Sequence, residues 1–125
     1  MQIMAKLYLV DNNGTKFMGI GVLWLLQEIV KTNSLRAAAA NLNLSYSKAY
    51  KMVKSLEKHI GQKVLERQRG GSEHRGATVN EFGHQFIALY DKFQNGAKEL
   101  LNGPFEIFIK DFEILRKQYG KEKQQ

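Results

Sequence analysis

The 125-residue chain contains no cysteine, which excludes a disulfide framework and any thiolate metal site and is compatible with a reducing compartment. Nor does it contain an apolar run of roughly 18 to 20 residues, the length a membrane-spanning helix needs. Its densest apolar stretch, Met18 to Leu26, is shorter and is interrupted by Gly19 and Gly21. The amino terminus, MQIMAKLYLV, carries a single lysine and too short an apolar run for a signal peptide. A soluble, cytoplasmic protein without membrane attachment is expected. Histidine is scarce: His59, His74 and His84 are widely spaced, with neither a His-x3-His pattern nor paired carboxylates. We therefore expect no metal site, no cofactor and no catalytic grouping, so no enzyme. Acidic residues are also in deficit, 12 against 19 Lys and Arg, leaving a net charge of +7. Such an excess points to an acidic partner, nucleic acid first and an anionic membrane surface second. What is present is a hydrophobic fraction of 43%, enough for the core of one domain with a helical appendage.

Along the chain, Ile3 to Val10 is β-rich, and Asp11-Asn12-Asn13-Gly14 signals a turn into Thr15-Lys16-Phe17, which predicts a small hairpin. From Ile20 to Lys31 the apolar residues are nearly continuous. A helix of that kind must be buried on more than one side, in the core or against another subunit. Thr32-Asn33-Ser34 stops it, and Ser34 can cap a short alanine-rich helix, Leu35 to Leu42. Ser45 can cap a third helix to about Ile60, closed by Gly61. Lys63 to Gln68 reads as a strand, Arg69-Gly70-Gly71 opens a loop, and Ala77 to Val79 returns as its partner. Asn80 can cap a long helix to about Leu101. Asn102-Gly103-Pro104 then breaks the chain before a last helix, Phe105 to Tyr119, with Lys121 to Gln125 frayed.

Helix, short helix, turn, helix and two-stranded hairpin is the order of a winged helix-turn-helix. The expected fold is thus mainly α, with small β-hairpins. At about 100° per residue, Ala49, Met52, Val53, Leu56 and Ile60 gather on one side of the third helix. Ser47, Lys51, Lys54 and Lys58 gather on the other, with Tyr50 at its margin and Lys48 on the flank. One side seats the helix; the other suits a major groove, where cations meet phosphates and the first helical residues reach base edges. The charge agrees, because residues 45 to 76 hold +5 of the chain's +7. The expected DNA-contacting set is Ser45, Tyr46, Ser47, Lys48, Tyr50, Lys51 and Lys54 on the helix, with Arg67, Arg69 and Arg75 in the wing.

At this point the sequence resembles a known family. Leu25 to Leu89 is similar to the DNA-binding domain of ModE-type molybdate-responsive regulators, and more distantly to the LysR-type winged helix. The ModE-like features are Ser45-Tyr46 with Ala49 and Tyr50 in register, Leu65-Glu66-Arg67, Gly70-Gly71, Gly76-Ala77, and Phe82-Gly83-His84-Gln85 followed by Ile87, Leu89, Tyr90 and Asp91. Ala38-Ala39, Leu56-Glu57 and Gly61 are LysR-like. With the preceding strand, the resemblance covers about residues 5 to 101. Asn80 stands where the family has Thr, and Lys51 and Lys54 depart from its usual choice. The resemblance implies a homodimeric regulator of transcription that binds double-stranded DNA. It does not carry molybdate sensing over, since one further helix follows the winged helix where the family has molybdate-binding domains.

The fourth helix is rich in apolar residues (Phe82, Phe86, Ile87, Leu89, Tyr90, Phe93), and Phe105, Phe108, Phe112, Leu115 and Tyr119 form a seam on the last one. The resemblance implies that the fourth helix dimerises together with the first. The expected domains are therefore residues 1–102, a winged helix-turn-helix with its dimerisation helix, and residues 103–125, a C-terminal helix and tail. A winged-helix module that binds a protein rather than DNA is the competing expectation.

Overall fold

The computed structural model describes residues 1–67 and 76–123. In chain order the elements are β1 (Tyr8–Val10), β2 (Lys16–Gly19), α1 (Ile20–Thr32), α2 (Leu35–Asn41), α3 (Tyr46–Ile60), β3 (Leu65–Arg67), β4 (Ala77–Val79), α4 (Glu81–Glu99) and α5 (Asn102–Lys123). The helical majority and the two small antiparallel hairpins match the winged helix-turn-helix expectation. Lys6–Asp91 forms one compact unit, and Met1–Ala5 with the chain from Lys92 onward forms a second.

Short-range hydrogen bonding sets most boundaries. The Asp11 carboxylate accepts from the Asn13 and Thr15 amides, both at 2.9 Å, and shapes the turn between β1 and β2. Ser34 Oγ accepts from the Ala37 amide at 3.0 Å and Ser45 Oγ from the Lys48 amide at 3.1 Å, starting α2 and α3. Gly61, with φ +73°, closes α3 in the left-handed conformation that glycine takes without steric cost. Asn80 Oδ1 accepts from the Gly83 amide at 2.7 Å, while its Nδ2 donates to the Lys63 carbonyl at 2.9 Å. One side chain therefore starts α4 and ties it to the base of the β3–β4 hairpin.

The core of the 6–91 unit is built from one face of each element. Leu23, Leu25, Leu26 and Ile29 of α1 meet Ala38 and Ala39 of α2, Ala49, Val53 and Leu56 of α3, and Val64 and Val79 of the hairpin. The alanines matter because α1 packs on both α2 and α3, and small side chains let helices approach closely. The expected all-round burial of α1 is incomplete within this unit: Trp24 is 53% exposed and Val30 40%.

Four boundaries differ from the sequence reading. β1 begins at Tyr8 rather than Ile3, because Tyr8 already pairs with Gly19, the last residue of β2, and no partner remains for earlier residues. β3 begins at Leu65 rather than Lys63, opposite Val79, the last residue of β4, and Gln68 lies outside the described residues. The break before the last helix falls at Leu100–Leu101, and Asn102-Gly103-Pro104 is the first turn of α5. Pro104 fits there because first-turn amides lack intrahelical acceptors. α5 also continues as helix through Lys123, past the expected start of fraying at Lys121.

A contact across 48 residues fastens the first hairpin to α3. His59 Nε2 donates to Asp11 Oδ2 at 3.0 Å, its Nδ1 donates to the Ser55 carbonyl at 2.7 Å, and its ring stacks on Phe17 at 4.6 Å. Two simultaneous donations require the imidazolium form. The Ser55 carbonyl first, and then the Asp11 carboxylate, hold the His59 pKa above its ordinary 6.5. Asp11 is held below its ordinary 3.8, chiefly by the Thr15 amide and next by His59. The His59 contribution is complete below pH 6.5 and is lost as pH rises through its raised folded value. The Asp11 contribution persists until the pH falls through its lowered value. Melting temperature is therefore expected to decline as pH rises above 6.5, and His59→Gln to flatten that decline. Equal slopes in the two proteins would contradict the ion pair.

Candidate nucleic-acid interface

α3 is held with its apolar side inward: Ala49, Val53 and Leu56 are buried, and Met52 and Ile60 half-buried. The opposite side projects Tyr46, Ser47, Lys48, Tyr50, Lys51, Lys54 and Lys58 into solvent, as the 100° periodicity requires. Ser45 sits at the helix entrance as its cap, and Arg67 is exposed at the end of β3. The remaining wing candidates, Arg69 and Arg75, lie outside the described residues.

The exposed side of α3 has two flanks. On one, Tyr46, Tyr50 and Lys54 follow each other at four-residue spacing. The two rings stack at 6.2 Å between centroids, and the Lys54 ammonium lies 5.5 Å above Tyr50. Arg36, from the first turn of α2, lies 4.5 Å above the Tyr46 ring. A guanidinium on an aromatic face is an ordered cation with its donors still free for an anion, and the contact itself contributes roughly 0.5–1 kcal/mol at an exposed site. Arg36 is absent from the set expected from sequence. Its signal was that it is the only charged residue in α2, on an otherwise alanine-rich helix.

Lys54 is more committed than its position on the wheel suggests. Its ammonium is 3.4 Å from Glu57 Oε1. Glu57 Oε2 in turn accepts from the Val64 amide at 2.8 Å. The carboxylate in the Leu56-Glu57 pair thus orients the hairpin strand against α3 and partly balances Lys54. Lys48 and Lys51, on the other flank with Ser47, form no ion pair among the described residues.

A two-helix turn presenting a cationic helix, followed by a β-hairpin and a capped long helix, now stands defined by its geometry. The family described as "Bacterial regulatory helix-turn-helix protein, lysR family" matches residues 21–84, from the first turn of α1 into α4. The chain belongs to this family. Among its relatives, the molybdenum-pterin-binding protein MopB of Rhodobacter capsulatus is 30% identical over 98 residues, covering 78% of this chain and 36% of that protein. The transcriptional regulator ModE of Haemophilus influenzae is 31% identical over 67 residues, 54% of this chain and 26% of the relative. The lysR-family chain thus spans about a third or less of the curated relatives it matches. The crystal structure of the CbnR DNA-binding domain in complex with DNA superposes with a TM-score of 0.54 at 24% identity, covering 66% of this chain and 88% of that one. That likeness establishes the winged-helix fold.

The comparisons thus join both resemblances read from the sequence, LysR-type in the matched family and ModE-type in the Haemophilus influenzae relative. Among the described residues no helix is long and apolar enough to cross a membrane.

Proposed function

We propose that this lysR-family protein binds double-stranded DNA as a homodimer and regulates transcription in the cytoplasm, acting as a binding protein and not an enzyme. The observation that carries the reading is the outward face of α3. Its seating on Ala49, Val53 and Leu56 leaves hydroxyls, stacked tyrosines and two lysines without an ion pair among the described residues at the end of the helix that enters a major groove in helix-turn-helix proteins. In this reading Tyr46, Ser47 and Tyr50 reach base edges. Lys51 and Arg36, with Arg69 and Arg75 of the wing, supply the phosphate contacts, and Lys48 and Arg67 flank them. Lys54 adds less, because Glu57 already balances part of its charge. The DNA complex of the similar CbnR domain supports the assignment. Residues 1–102 form the DNA-binding and dimerisation part in this reading, and residues 103–125 an appended helix.

A Ser47→Ala, Tyr50→Ala double variant tests the base-reading assignment. With a preferred duplex selected from a random pool, it should lose most of the preference over scrambled DNA, about 1–3 kcal/mol for each good base contact. Unchanged preference would move base reading away from α3.

The dimer rests on apolar surface. Trp24 and Val30 of α1 and Leu89 of α4, the last 67% exposed, are uncovered in the 6–91 unit. In α5, Ile107, Phe108, Ile114, Leu115 and Tyr119 are uncovered as well, a broader apolar surface than the seam expected from sequence. Exposure on this scale marks an association surface. Sedimentation at micromolar concentration should give twice the 14.3 kDa chain mass. A monomer would contradict the dimer.

A further inference from the structure

The second flank of α3 forms one wall of a cleft whose other wall is the β1–β2 hairpin, with a volume of about 570 Å³. The cleft lies entirely within the 6–91 unit. Apart from the Ser55 hydroxyl and Gly19, its buried and half-buried lining is apolar: Phe17, Met18, Val22 and Met52. Its exposed lining carries Lys16, Lys48 and Lys51, and no described residue lining it is acidic. The Lys16 ammonium is held 4.2 Å above the Tyr8 ring, which orders it at the hairpin side.

Apolar walls with a few placed charges are the composition of small-molecule sites, and this volume falls within the roughly 300–1,000 Å³ such sites occupy. A bare phosphate would satisfy the lysines but leave the apolar lining wet. A neutral apolar molecule would leave three lysines unanswered. We propose that the cleft binds an aromatic carboxylate, its ring against Phe17, Val22 and Met52 and its carboxylate among the lysines. Because Ser47, Lys48 and Lys51 also belong to the DNA-facing surface, the bound acid and DNA exclude each other. This second consequence rests on the DNA-binding reading; the site itself does not.

Gly21 provides the test. It lines the cleft in the first turn of α1, and a Cβ added there meets nothing within 4 Å. Gly21→Leu adds apolar bulk at the cleft lining and replaces a poor helix former with a good one. With 2-naphthoate as probe, calorimetry on the full chain should show saturable binding. The neutral analogue 2-naphthylmethanol, Lys16→Gln and Gly21→Leu should each weaken it, Gly21→Leu by about tenfold or more. Saturating 2-naphthoate should weaken duplex binding by wild type and leave Gly21→Leu, which keeps its DNA affinity, unaffected. Absence of saturable binding overturns the site, as does binding that Gly21→Leu leaves intact. If wild type binds no duplex, the calorimetric arm still decides the cleft on its own.

Discussion

Leu56→Ala is expected to destabilise the protein by about 2–5 kcal/mol, the cost of emptying a well-packed leucine site. Leu56 is 0% exposed and lies on the inward side of α3 between Val53 and Ile60. Its side chain is fully enclosed in the core, so both the transfer loss and the cavity cost apply. Small domains retain roughly 5–15 kcal/mol in total, which makes this single truncation a large share. In thermal unfolding the loss corresponds to a drop of roughly 10 °C or more for a unit of this size. Met4→Ala, at a side chain 87% exposed, should move stability by less than about 0.5 kcal/mol. A Leu56→Ala loss below about 1 kcal/mol would mean that α3 is not seated as described, and the orientation of its lysine face would fall with it.

The combined Arg36→Ala, Lys51→Ala variant is expected to lose the most DNA affinity. Both groups are exposed cations from different helices, one at each flank of the outward face of α3, and neither forms an ion pair among the described residues. In a dimer the variant removes four phosphate contacts, and each is worth about 0.9 of a decade in affinity per decade of salt. The loss at low salt should therefore reach several orders of magnitude, and should be similar for preferred and scrambled duplexes. Lys54→Ala should cost less than Lys51→Ala, because Glu57 already shares its charge. The reverse order would mean that the Lys54–Glu57 pair opens on DNA.

Much of this fold is legible in the sequence because its boundaries are written by local chemistry. Ser34, Ser45 and Asn80 each accept an amide three residues on, and Gly61 ends α3 where the apolar period stops. The two faces of α3 follow from periodicity alone. Contacts that join distant segments leave no such trace. Nothing at position 11 announces that its carboxylate meets His59, and nothing at Glu57 announces the Val64 amide. Arg36 reads as an isolated surface cation until the turn between α2 and α3 sets it over Tyr46. The extent of β1 was equally hidden, since strand length depends on where the partner ends, and β2 gives way to α1 after Gly19. The cleft is the extreme case: two ordinary segments, a hairpin and a helix face, acquire meaning only side by side.

The central claim, that the α3 face and the wing hold the phosphate backbone of duplex DNA, is tested most directly by titrating a preferred and a scrambled duplex over a range of salt concentrations. With Arg36, Lys51, Arg69 and Arg75 near phosphates in each of two subunits, about eight contacts should give a slope of log K against log salt near −7. Lys51→Ala should flatten it by about two units on both duplexes, one contact being lost from each subunit. A wild-type slope near zero would contradict the claim and leave the basic face of α3 as solvated surface.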